Sequence, residues 1–545
     1  MVMAGMERVL AQSAGGRRGA VAAAHPLASQ AGLGVLREGG NAVDAAVTTA
    51  FTLTVVEPFA SGIAGGGFMT VRRPDGAVHF LDFRETAPAA ATPTMFPRDA
   101  AGAVVDRAND LGYLPIGVPG QLAGMVEALD RWGTIPLERA LQPAITHAER
   151  GFPISKFMAT VMGRELARLR FTPDARRRFL DAAGNPLGPG DLVVQPELAE
   201  SYRGIAREGA ELLYRGELGR RIIDQVQRHG GLLTPEDLAG FRPRLREPVR
   251  GRFRGFDIVS SSPPSSGGFT LLLLLQMCEE LGIDRMAADS PVAVHLLVEA
   301  QKLAFADRRA FAADADFVRV PAAGLMSSRY ARDRARQIDP ARAAAATPGD
   351  PWSCGSPSTT HLSIADGDGN AVALTQTLQA MFGSGVVVTG TGIFLNNQLS
   401  DFDADPASPN CVAAGKKPLS SMTPTLVLRD GRLVLVIGSA GSQRIISAVA
   451  QIILHHLGRG WPLAEALGAP RFHCERDEVA VERSAPEGVV DGLEARGHRL
   501  VIRGDGPVSF LLGGAQAVAV ANDGLLTAVT DPRRGAGGAA GPAAF

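Results

Sequence analysis

The chain has 545 residues, of which 46% are hydrophobic and 20% charged, and its formal net charge is −1 at pH 7. A chain of this length is too long for one ordinary core and predicts several domains or one large layered fold. The composition is typical of a globular enzyme, and the near-zero net charge argues against a protein that binds nucleic acid or an anionic membrane by electrostatics.

The cysteines and the N-terminus indicate the compartment. Cys278, Cys354, Cys411 and Cys474 lie far apart and form no CxxC pair, so neither a metal knuckle nor a disulfide framework is predicted. Residues 1–18 contain no apolar run long enough for the core of a signal peptide. We therefore expect a cytoplasmic protein that makes no use of a membrane; a misassigned start codon would instead place it in the periplasm or outside the cell.

Several segments of the N-terminal part carry clear local signals. The small residues at 19–24 predict a strand. Asn41, with Asp44 three residues later, predicts a capped start for a buried helix over 42–56. The glycine cluster at 61–67 lacks the GK[ST] ending of a phosphate-binding loop, so tight backbone packing is the better interpretation.

Arg84 stands in the stretch LDFRETAP at 81–88. A lone arginine is usually a surface residue, but its planar guanidinium also suits bidentate binding of a carboxylate. From about residue 118 to 340 the chain is predicted to be mostly helical, with a helix start at 234–237 and an amphipathic, structural helix at 299–309.

The pattern changes most sharply at Thr359. The segment 341–358 is rich first in alanine and then in proline, glycine and serine, which predicts an irregular linker. Alternating residues at 360–365 and the run at 371–377 flank an Asp-Gly-Asp-Gly-Asn turn and predict a β-hairpin. A threonine that begins a strand is usually only a strand residue. At a free N-terminus, however, its α-amine can act as the base that activates its own hydroxyl.

Other chemistries find little support in the sequence. It contains no GxSxG elbow, and none of its ten histidines belongs to an HExxH motif. The adjacent His455 and His456 would point in different directions on a helix, which favours structural roles. We therefore predict neither a metal nor a cofactor.

Five motifs occur in a fixed order along the chain: GGNAVDAA at 39–46, the glycine cluster at 61–67, TTHLS at 359–363, TQT at 375–377 and GIFLNNQ at 392–398. This set resembles the γ-glutamyltransferases, also called glutathione hydrolases, which belong to the N-terminal nucleophile hydrolases. The resemblance implies an α+β fold, a four-layer αββα sandwich. It also implies a precursor that cuts itself into a large chain, residues 1–358, and a small chain, residues 359–545, which stay together as a heterodimer.

The resemblance assigns roles to the matching residues. Thr359 would be the nucleophile and Thr377 the residue that hydrogen-bonds it, while the backbone N–H groups of Gly441 and Ser442 would form the oxyanion hole. The family has glycine where this chain has Ser442, but a backbone donor survives that change. The matches around the substrate are Arg84, Ser420 and Ser421 for its α-carboxylate and Gln398 and Asp401 for its α-amine.

The substrate stays open at this stage. Glutathione and γ-glutamyl amides are expected, because a buried Asp401 needs a cationic partner and the α-ammonium of a γ-glutamyl group supplies one. Gln379 is a departure within the substrate shell, since the family often has asparagine there. Oxamate amidohydrolases and cephalosporin (glutaryl) acylases of the same family remain alternatives, and their substrates lack that α-amine.

Two further questions are not answered by the sequence. An uncleaved, non-catalytic binding protein of the same fold is an alternative of another class, against which the retention of Thr359, Thr377 and the Gly441 loop argues. Hydrolysis and transfer are not distinguished, because the outcome depends on whether water or an amino acid reaches the acyl-enzyme.

Overall fold

The computed structural model describes residues 11–349, 360–503, 510–534 and 538–541. Strands and helices alternate irregularly along this part of the chain. The strands are β1 (Gln12–Gly16), β2 (Gly19–Ala23), β3 (Gly66–Arg72), β4 (Val78–Asp82), β5 (Phe152–Pro153), β6 (Leu192–Val193), β7 (Arg244–Arg246), β8 (Val249–Phe253), β9 (Phe256–Ser260), β10 (Thr360–Asp366), β11 (Ala371–Thr377), β12 (Thr425–Arg429), β13 (Arg432–Ala440), β14 (Phe472–Cys474), β15 (Glu478–Glu482), β16 (Arg499–Arg503), β17 (Gly514–Val520), β18 (Leu526–Thr530) and β19 (Gly538–Ala540).

Most helices lie between β4 and β10 in the sequence, as the composition of that region predicts. The helices are α1 (Pro26–Arg37), α2 (Ala42–Val56), α3 (Gln121–Trp132), α4 (Leu137–Arg150), α5 (Lys156–Arg164), α6 (Leu166–Leu169), α7 (Pro173–Phe179), α8 (Pro196–Glu208), α9 (Glu211–Tyr214), α10 (Glu217–Arg228), α11 (Pro235–Gly240), α12 (Gly267–Glu280), α13 (Pro291–Phe311), α14 (Ala322–Leu325), α15 (Ser328–Ala335), α16 (Arg444–Ile453), α17 (Leu463–Gly468) and α18 (Glu487–Glu494). None of them, in the described residues, is both long and apolar enough to cross a membrane.

Two seven-stranded antiparallel sheets form the centre of the molecule. Sheet I has the strand order β1-β18-β17-β13-β12-β9-β8, and sheet II has the order β19-β2-β10-β11-β3-β4-β7. In sheet II, Leu362 of β10 pairs with Leu374 of β11 on one side and with Ala23 of β2 on the other. Strands β10 and β11 therefore lie inside the sheet, with neighbours on both sides.

The sheets pack face to face, and helices cover both outer faces. Alanines dominate the sheet II side of the inner layer, whose buried residues include Ala20, Ala22, Ala365, Ala371, Ala373, Val259, Val436 and Val518. Helices α1 and α2 pack on sheet II, and α12 and α16 pack on sheet I. The layers follow the order helix, sheet, sheet, helix, which confirms the predicted αββα sandwich of the α+β class.

The strongest local predictions are confirmed. Helix α2 spans Ala42–Val56, and its start carries a complete capping box, with Asn41 and Asp44 each accepting a hydrogen bond from the other's backbone N–H. Strands β10 and β11 form the predicted hairpin, and β2 covers all but the last residue of the strand predicted at 19–24. These elements are specified by signals that lie within a few residues of one another.

One prediction needs correction, and a second is confirmed in its described part. The helix predicted at 299–309 is the centre of α13, and its charged side chains are buried rather than solvated: Glu299, Lys302, Asp307 and Arg308 are each less than 5% exposed. The segment predicted as an irregular linker has no regular structure over 341–349, but its backbone is hydrogen-bonded to that helix. Residues 350–359, including Thr359, lie outside the described residues.

Candidate active site

Arg84 lies just beyond the end of β4 and is 1% exposed. Its backbone N–H donates to Asp82, which in turn forms ion pairs with Arg246 and Lys417. Arg84 is therefore not the surface residue that a lone arginine usually is. A buried guanidinium requires a negative partner, and in this structure it has one.

Asp401 supplies the negative charge. Its Oδ2 lies 2.5 Å from Arg84 Nη2, and it also accepts hydrogen bonds from the side-chain amides of Gln379 at 3.0 Å and Gln398 at 2.6 Å. Burial raises the pKa of Asp401 to about 7, although Arg84 and Gln379 act in the opposite direction. Three of the predicted substrate-binding residues thus contact a fourth, Asp401, directly.

Two buried polar atoms of this group have no hydrogen-bond partner among the described residues. One is Arg84 Nη1, which is a donor, and the other is Gln398 Oε1, which is an acceptor. Buried polar groups are normally hydrogen-bonded, so an unmatched donor and an unmatched acceptor indicate groups that a bound molecule can satisfy.

Arg84 also holds the backbone that precedes the two predicted serines. Its Nε donates to Pro418 O at 3.3 Å and its Nη2 to Leu419 O at 3.0 Å. The Ser420 hydroxyl accepts from the Met422 N–H at 3.1 Å. The predicted serines are therefore adjacent to Arg84, although no hydrogen bond of the described residues joins either hydroxyl to it.

Arg308 was missed by the sequence analysis. Its Nη2 donates to Ser421 Oγ at 2.9 Å and its Nε to Ser266 Oγ at 2.7 Å. This arginine comes from α13 and is fully buried. The only sequence signal for its burial was its place in a predicted helix, next to apolar and other charged residues. Two arginines thus contact residues 418–421, Arg84 at the carbonyls of Pro418 and Leu419 and Arg308 at the Ser421 hydroxyl.

Thr377 is the last residue of β11 and is 1% exposed. Its Oγ1 accepts a hydrogen bond from the Gln379 N–H at 2.8 Å. Gln379 has a φ of +83°, an uncommon conformation for a residue with a side chain. Gln379 has this strained backbone at the point where its N–H contacts Thr377 and its side chain contacts Asp401.

The glycine cluster packs directly against this strand end. Thr377 pairs with Gly66 of β3, and a Cβ on Gly65 would lie 2.0 Å from Thr377 O. Only glycine allows that approach of two backbones. The interpretation of 61–67 as a close-packing motif is therefore supported by its geometry.

Gly441 and Ser442 form the turn between β13 and α16. Gly441 has a φ of +124° and Ser442 a φ of +69°, so two successive residues occupy the region that favours glycine. A Cβ on Gly441 would lie 2.7 Å from the Cα of Gly513. In the described part of the chain, this turn is positioned by its strand and helix and not by hydrogen bonds to the Asp401 group.

The start of β10 is enclosed on both sides. Thr360 donates its hydroxyl to Glu57 at 3.1 Å. His361 is buried between Thr375 Oγ1 at 2.9 Å and Ser363 Oγ at 3.0 Å, and burial lowers its pKa to about 3. A histidine that stays neutral and has both ring nitrogens engaged is a structural residue rather than a general base.

Glu85, next to Arg84, is a second residue that the sequence analysis did not single out. It is fully buried, and neither carboxyl oxygen has a hydrogen-bond partner in the described residues. Burial raises its pKa to about 8, with Arg84 opposing the shift. At neutral pH this carboxyl is therefore mainly protonated, and of the two carboxyls Asp401 has the pKa closer to 7.

One group of three possible metal ligands occurs among the described residues: His295, Glu299 and His498. It is separate from the Asp401 group. Lys302 Nζ lies 2.6 Å from Glu299 Oε1, so an ammonium already occupies the position beside the carboxylate. A dication would have to overcome that charge, and the group is better described as a buried hydrogen-bond network.

Comparisons with known proteins decide the family. The family model described as gamma-glutamyltranspeptidase matches residues 28–541. The chain belongs to the gamma-glutamyltranspeptidase family. It is accordingly an enzyme, an amidohydrolase of the γ-glutamyltransferase type with the N-terminal nucleophile hydrolase fold.

Three similar proteins show the range within this family. The chain is 38% identical to the glutathione hydrolase proenzyme of Escherichia coli (strain K12), over 95% of this chain and 90% of that one. It is 41% identical to the acylase ACY 1 proenzyme of Pseudomonas sp. (strain SE83), over 94% and 92% of the two chains. The crystal structure of cephalosporin acylase from Bacillus halodurans superposes with a TM-score of 0.88 at 31% identity, over 98% of this chain and 97% of that one.

Proposed function

We propose that this family member is a self-cleaving γ-glutamyl hydrolase and transferase that acts on glutathione and γ-glutamyl amides. The cut falls between Ser358 and Thr359 and gives a large chain of residues 1–358 and a small chain of residues 359–545. Thr359 then carries both the nucleophilic hydroxyl and the α-amine that serves as its base. The cytoplasm stays the expected compartment.

The observation that carries the proposal is the pair of unmatched atoms in the Asp401 group. Arg84 Nη1 is a donor without an acceptor, and Gln398 Oε1 is an acceptor without a donor, among the described residues. The free end of a γ-glutamyl group has a carboxylate and an ammonium on one carbon. The carboxylate satisfies the arginine, with Ser420 and Ser421 beside it, and the ammonium satisfies the glutamine and Asp401.

The same contacts connect substrate binding with the chemistry. Thr377 Oγ1 accepts from the backbone of Gln379, and the side chain of Gln379 donates to Asp401. A substrate held at Asp401 is thereby held in register with the threonine that is expected to donate to the nucleophile. Positioning of this kind supplies a large part of the rate enhancement of acyl transfer.

The reaction proceeds in two steps. The Thr359 hydroxyl attacks the γ-carbonyl carbon while its α-amine takes the proton, and the resulting oxyanion is stabilised by the N–H groups of Gly441 and Ser442. Collapse breaks the C–N bond, and the α-ammonium returns the proton to the leaving amine. Water or the amine of an amino acid then attacks the ester, releases the acyl group and restores the threonine.

A second candidate function is the deacylation of glutaryl compounds such as glutaryl cephalosporins. One observation favours it: Arg84 already neutralises Asp401 within the chain, so the carboxylate does not depend on a substrate ammonium. Gln379, in place of the asparagine common in the family, adds another hydrogen bond to the same carboxylate. A glutaryl group would satisfy Arg84 Nη1 but leave Gln398 Oε1 unmatched.

Self-cleavage is tested with the purified protein on a denaturing gel. The wild type should give two bands, and N-terminal sequencing of the smaller should read Thr-Thr-His. Thr359→Ala should give one band of full length. A single full-length band from active wild-type protein would exclude the N-terminal threonine mechanism.

The substrate is tested by assaying γ-glutamyl-p-nitroanilide, glutaryl-p-nitroanilide and oxamate side by side. We expect the highest kcat/KM for the γ-glutamyl compound. A higher value for the glutaryl compound would establish the second candidate, and a preference for oxamate would overturn both.

A further inference from the structure

Helix α13 buries four polar residues whose side chains face the segment 339–349. His295, Glu299, Lys302 and Asp307 are each less than 5% exposed. Glu299 and Lys302 form an ion pair at 2.6 Å, and Asp307 pairs at 3.0 Å with Arg334 of α15, which is 2% exposed. Burial of these charges is costly unless their remaining hydrogen-bonding capacity is also used.

These side chains, together with Arg334, form further hydrogen bonds with backbone groups of residues 339–349. The contacts run in order along the segment. His295 Nε2 lies 2.7 Å from Asp339 O, the Ala344 N–H donates to Glu299 Oε2 at 3.2 Å, and Lys302 Nζ donates to Ala344 O at 3.3 Å. Further on, Arg334 Nη2 donates to Thr347 O at 2.9 Å and the Gly349 N–H donates to Asp307 Oδ1 at 2.8 Å. We call the five side chains His295, Glu299, Lys302, Asp307 and Arg334 the anchor.

The segment bound by the anchor has few side-chain groups that could fix its position. Residues 343–349 read AAAATPG, so the side chains offer almost no polar group and little apolar area. The segment has no regular secondary structure, and its backbone groups therefore need partners from elsewhere. Since the contacts are to the backbone, the anchor fixes the position of the segment and not its sequence.

Gly349 is the last described residue of the segment, and it is fitted closely. A Cβ at this position would lie 2.3 Å from the hydroxyl oxygen of Tyr330, with its ring carbon Cζ at 3.3 Å. A side chain here would force Gly349 and Tyr330 apart, and both residues contact Asp307. The close approach gives a way to displace the end of the segment without replacing a residue of the anchor.

We propose that the anchor positions the end of the large chain for self-cleavage, an inference that rests on the function proposed above. Gly349 stands ten residues before Thr359, and β10 begins at Thr360 inside sheet II. A chain fixed at both ends explores far fewer conformations than one fixed at a single end. The anchor thereby increases the fraction of precursor that is poised for cleavage, and it takes no part in turnover by the two-chain enzyme.

Two kinds of variant test this. Gly349→Ala displaces the segment by the clash with Tyr330, and Glu299→Met/Lys302→Met removes an ion pair as a unit, so that no unpaired charge is left behind. Each should convert precursor to two chains about tenfold more slowly than wild type, as expected when one or two positioning hydrogen bonds are lost. Conversion is followed on denaturing gels after cell-free synthesis of the full chain.

The controls separate positioning from general destabilisation. Adding Tyr330→Phe to Gly349→Ala removes the clashing oxygen together with a hydrogen bond to Asp307, and should restore part of the rate. Arg178→Met breaks the ion pair of the buried Arg178 with the partly exposed Glu197, away from the segment, and should lower the Tm without slowing conversion. Two-chain enzyme purified from each anchor variant should show the wild-type kcat.

The outcomes distinguish this inference from the proposed function. If wild type itself stays one chain, the proposed function fails. If wild type is cut and the Gly349 and Glu299/Lys302 variants are cut at the same rate, the proposed function stands and the positioning role is overturned. A kcat reduced as much as the conversion rate would also overturn it, because the anchor would then act on the active site.

Discussion

Arg84 and Asp401 form a buried ion pair at the centre of the candidate active site, 2.5 Å apart, although 317 residues separate them in the chain. This pairing changes the argument about substrate. Asp401 does not need a substrate ammonium for its neutralisation, so its presence alone does not select a γ-glutamyl group. The selective atoms are the unmatched donor on Arg84 and the unmatched acceptor on Gln398.

The affinity for γ-glutamyl substrates should depend on pH through Asp401. Its pKa is raised to about 7, so the carboxyl gains its negative charge as the pH rises through that value, and an ammonium then binds more tightly. KM for γ-glutamyl-p-nitroanilide should fall between about pH 6 and about pH 8 in wild type. Asp401→Asn should abolish this dependence and weaken binding at pH 8 by ~1.5–3 kcal/mol.

Two controls apply to that experiment. Glutaryl-p-nitroanilide has no ammonium, and Asp401→Asn should leave its KM unchanged or lower it, because Arg84 is released toward the carboxylate. Glu85→Gln should keep the pH dependence of the γ-glutamyl KM. If Glu85→Gln loses the pH dependence of KM and Asp401→Asn keeps it, the titrating group is Glu85 and the role given to Asp401 is wrong.

Glu85 should make the folded protein less stable as the pH rises. Its pKa is about 8 in the folded chain against 4.5 for an ordinary glutamate, so the folded state holds a proton that the unfolded state releases. Stability from this group is complete at low pH and is lost between these two values. The Tm of Glu85→Gln relative to wild type should therefore rise up to about pH 8 and then level off. A Tm difference between Glu85→Gln and wild type that does not change with pH would contradict this assignment to Glu85.

Gln398 should distinguish the two substrate classes. Gln398→Met removes a hydrogen bond to Asp401 and also removes the unmatched Oε1. Gln379→Met is the matched control, because it removes a hydrogen bond to the same carboxylate and leaves Oε1 of Gln398 in place. We expect Gln398→Met to raise the γ-glutamyl KM several-fold more than the control does, with no such difference for the glutaryl compound. Equal effects of the two variants on both substrates would exclude an ammonium contact.

The turn at 441–442 should respond in opposite ways to two small changes. Ser442→Gly keeps the backbone donor and relieves a φ of +69°, so activity should be nearly unchanged and the Tm equal or higher. Gly441→Ala forces a Cβ against Gly513 and moves the donors, which should lower kcat on the order of 10²–10³-fold. Full activity of Gly441→Ala in a steady-state assay would show that the turn does not form the oxyanion hole.

Sequence reasoning succeeded where the determining signals are local. The capping box of α2 and the hairpin of β10 and β11 each depend on residues within one short stretch. It failed for Arg308 and for the burial of α13, because a charged side chain on a helix looks the same whether it meets solvent or a partner from another part of the chain. The contacts of Arg308 with Ser266 and Ser421 bridge 42 and 113 residues, and no periodicity encodes them.

The strand order has a consequence for the two products of the proposed cut. In sheet II, β10 and β11 would belong to the small chain and lie between β2 and β3 of the large chain, and in sheet I the small chain's β18 and β12 would pair with the large chain's β1 and β9. Neither product would contain all the strands of either sheet. Separating them would require breaking interior strand pairs, so dilution should not dissociate the enzyme, and the halves should acquire activity only when they fold together.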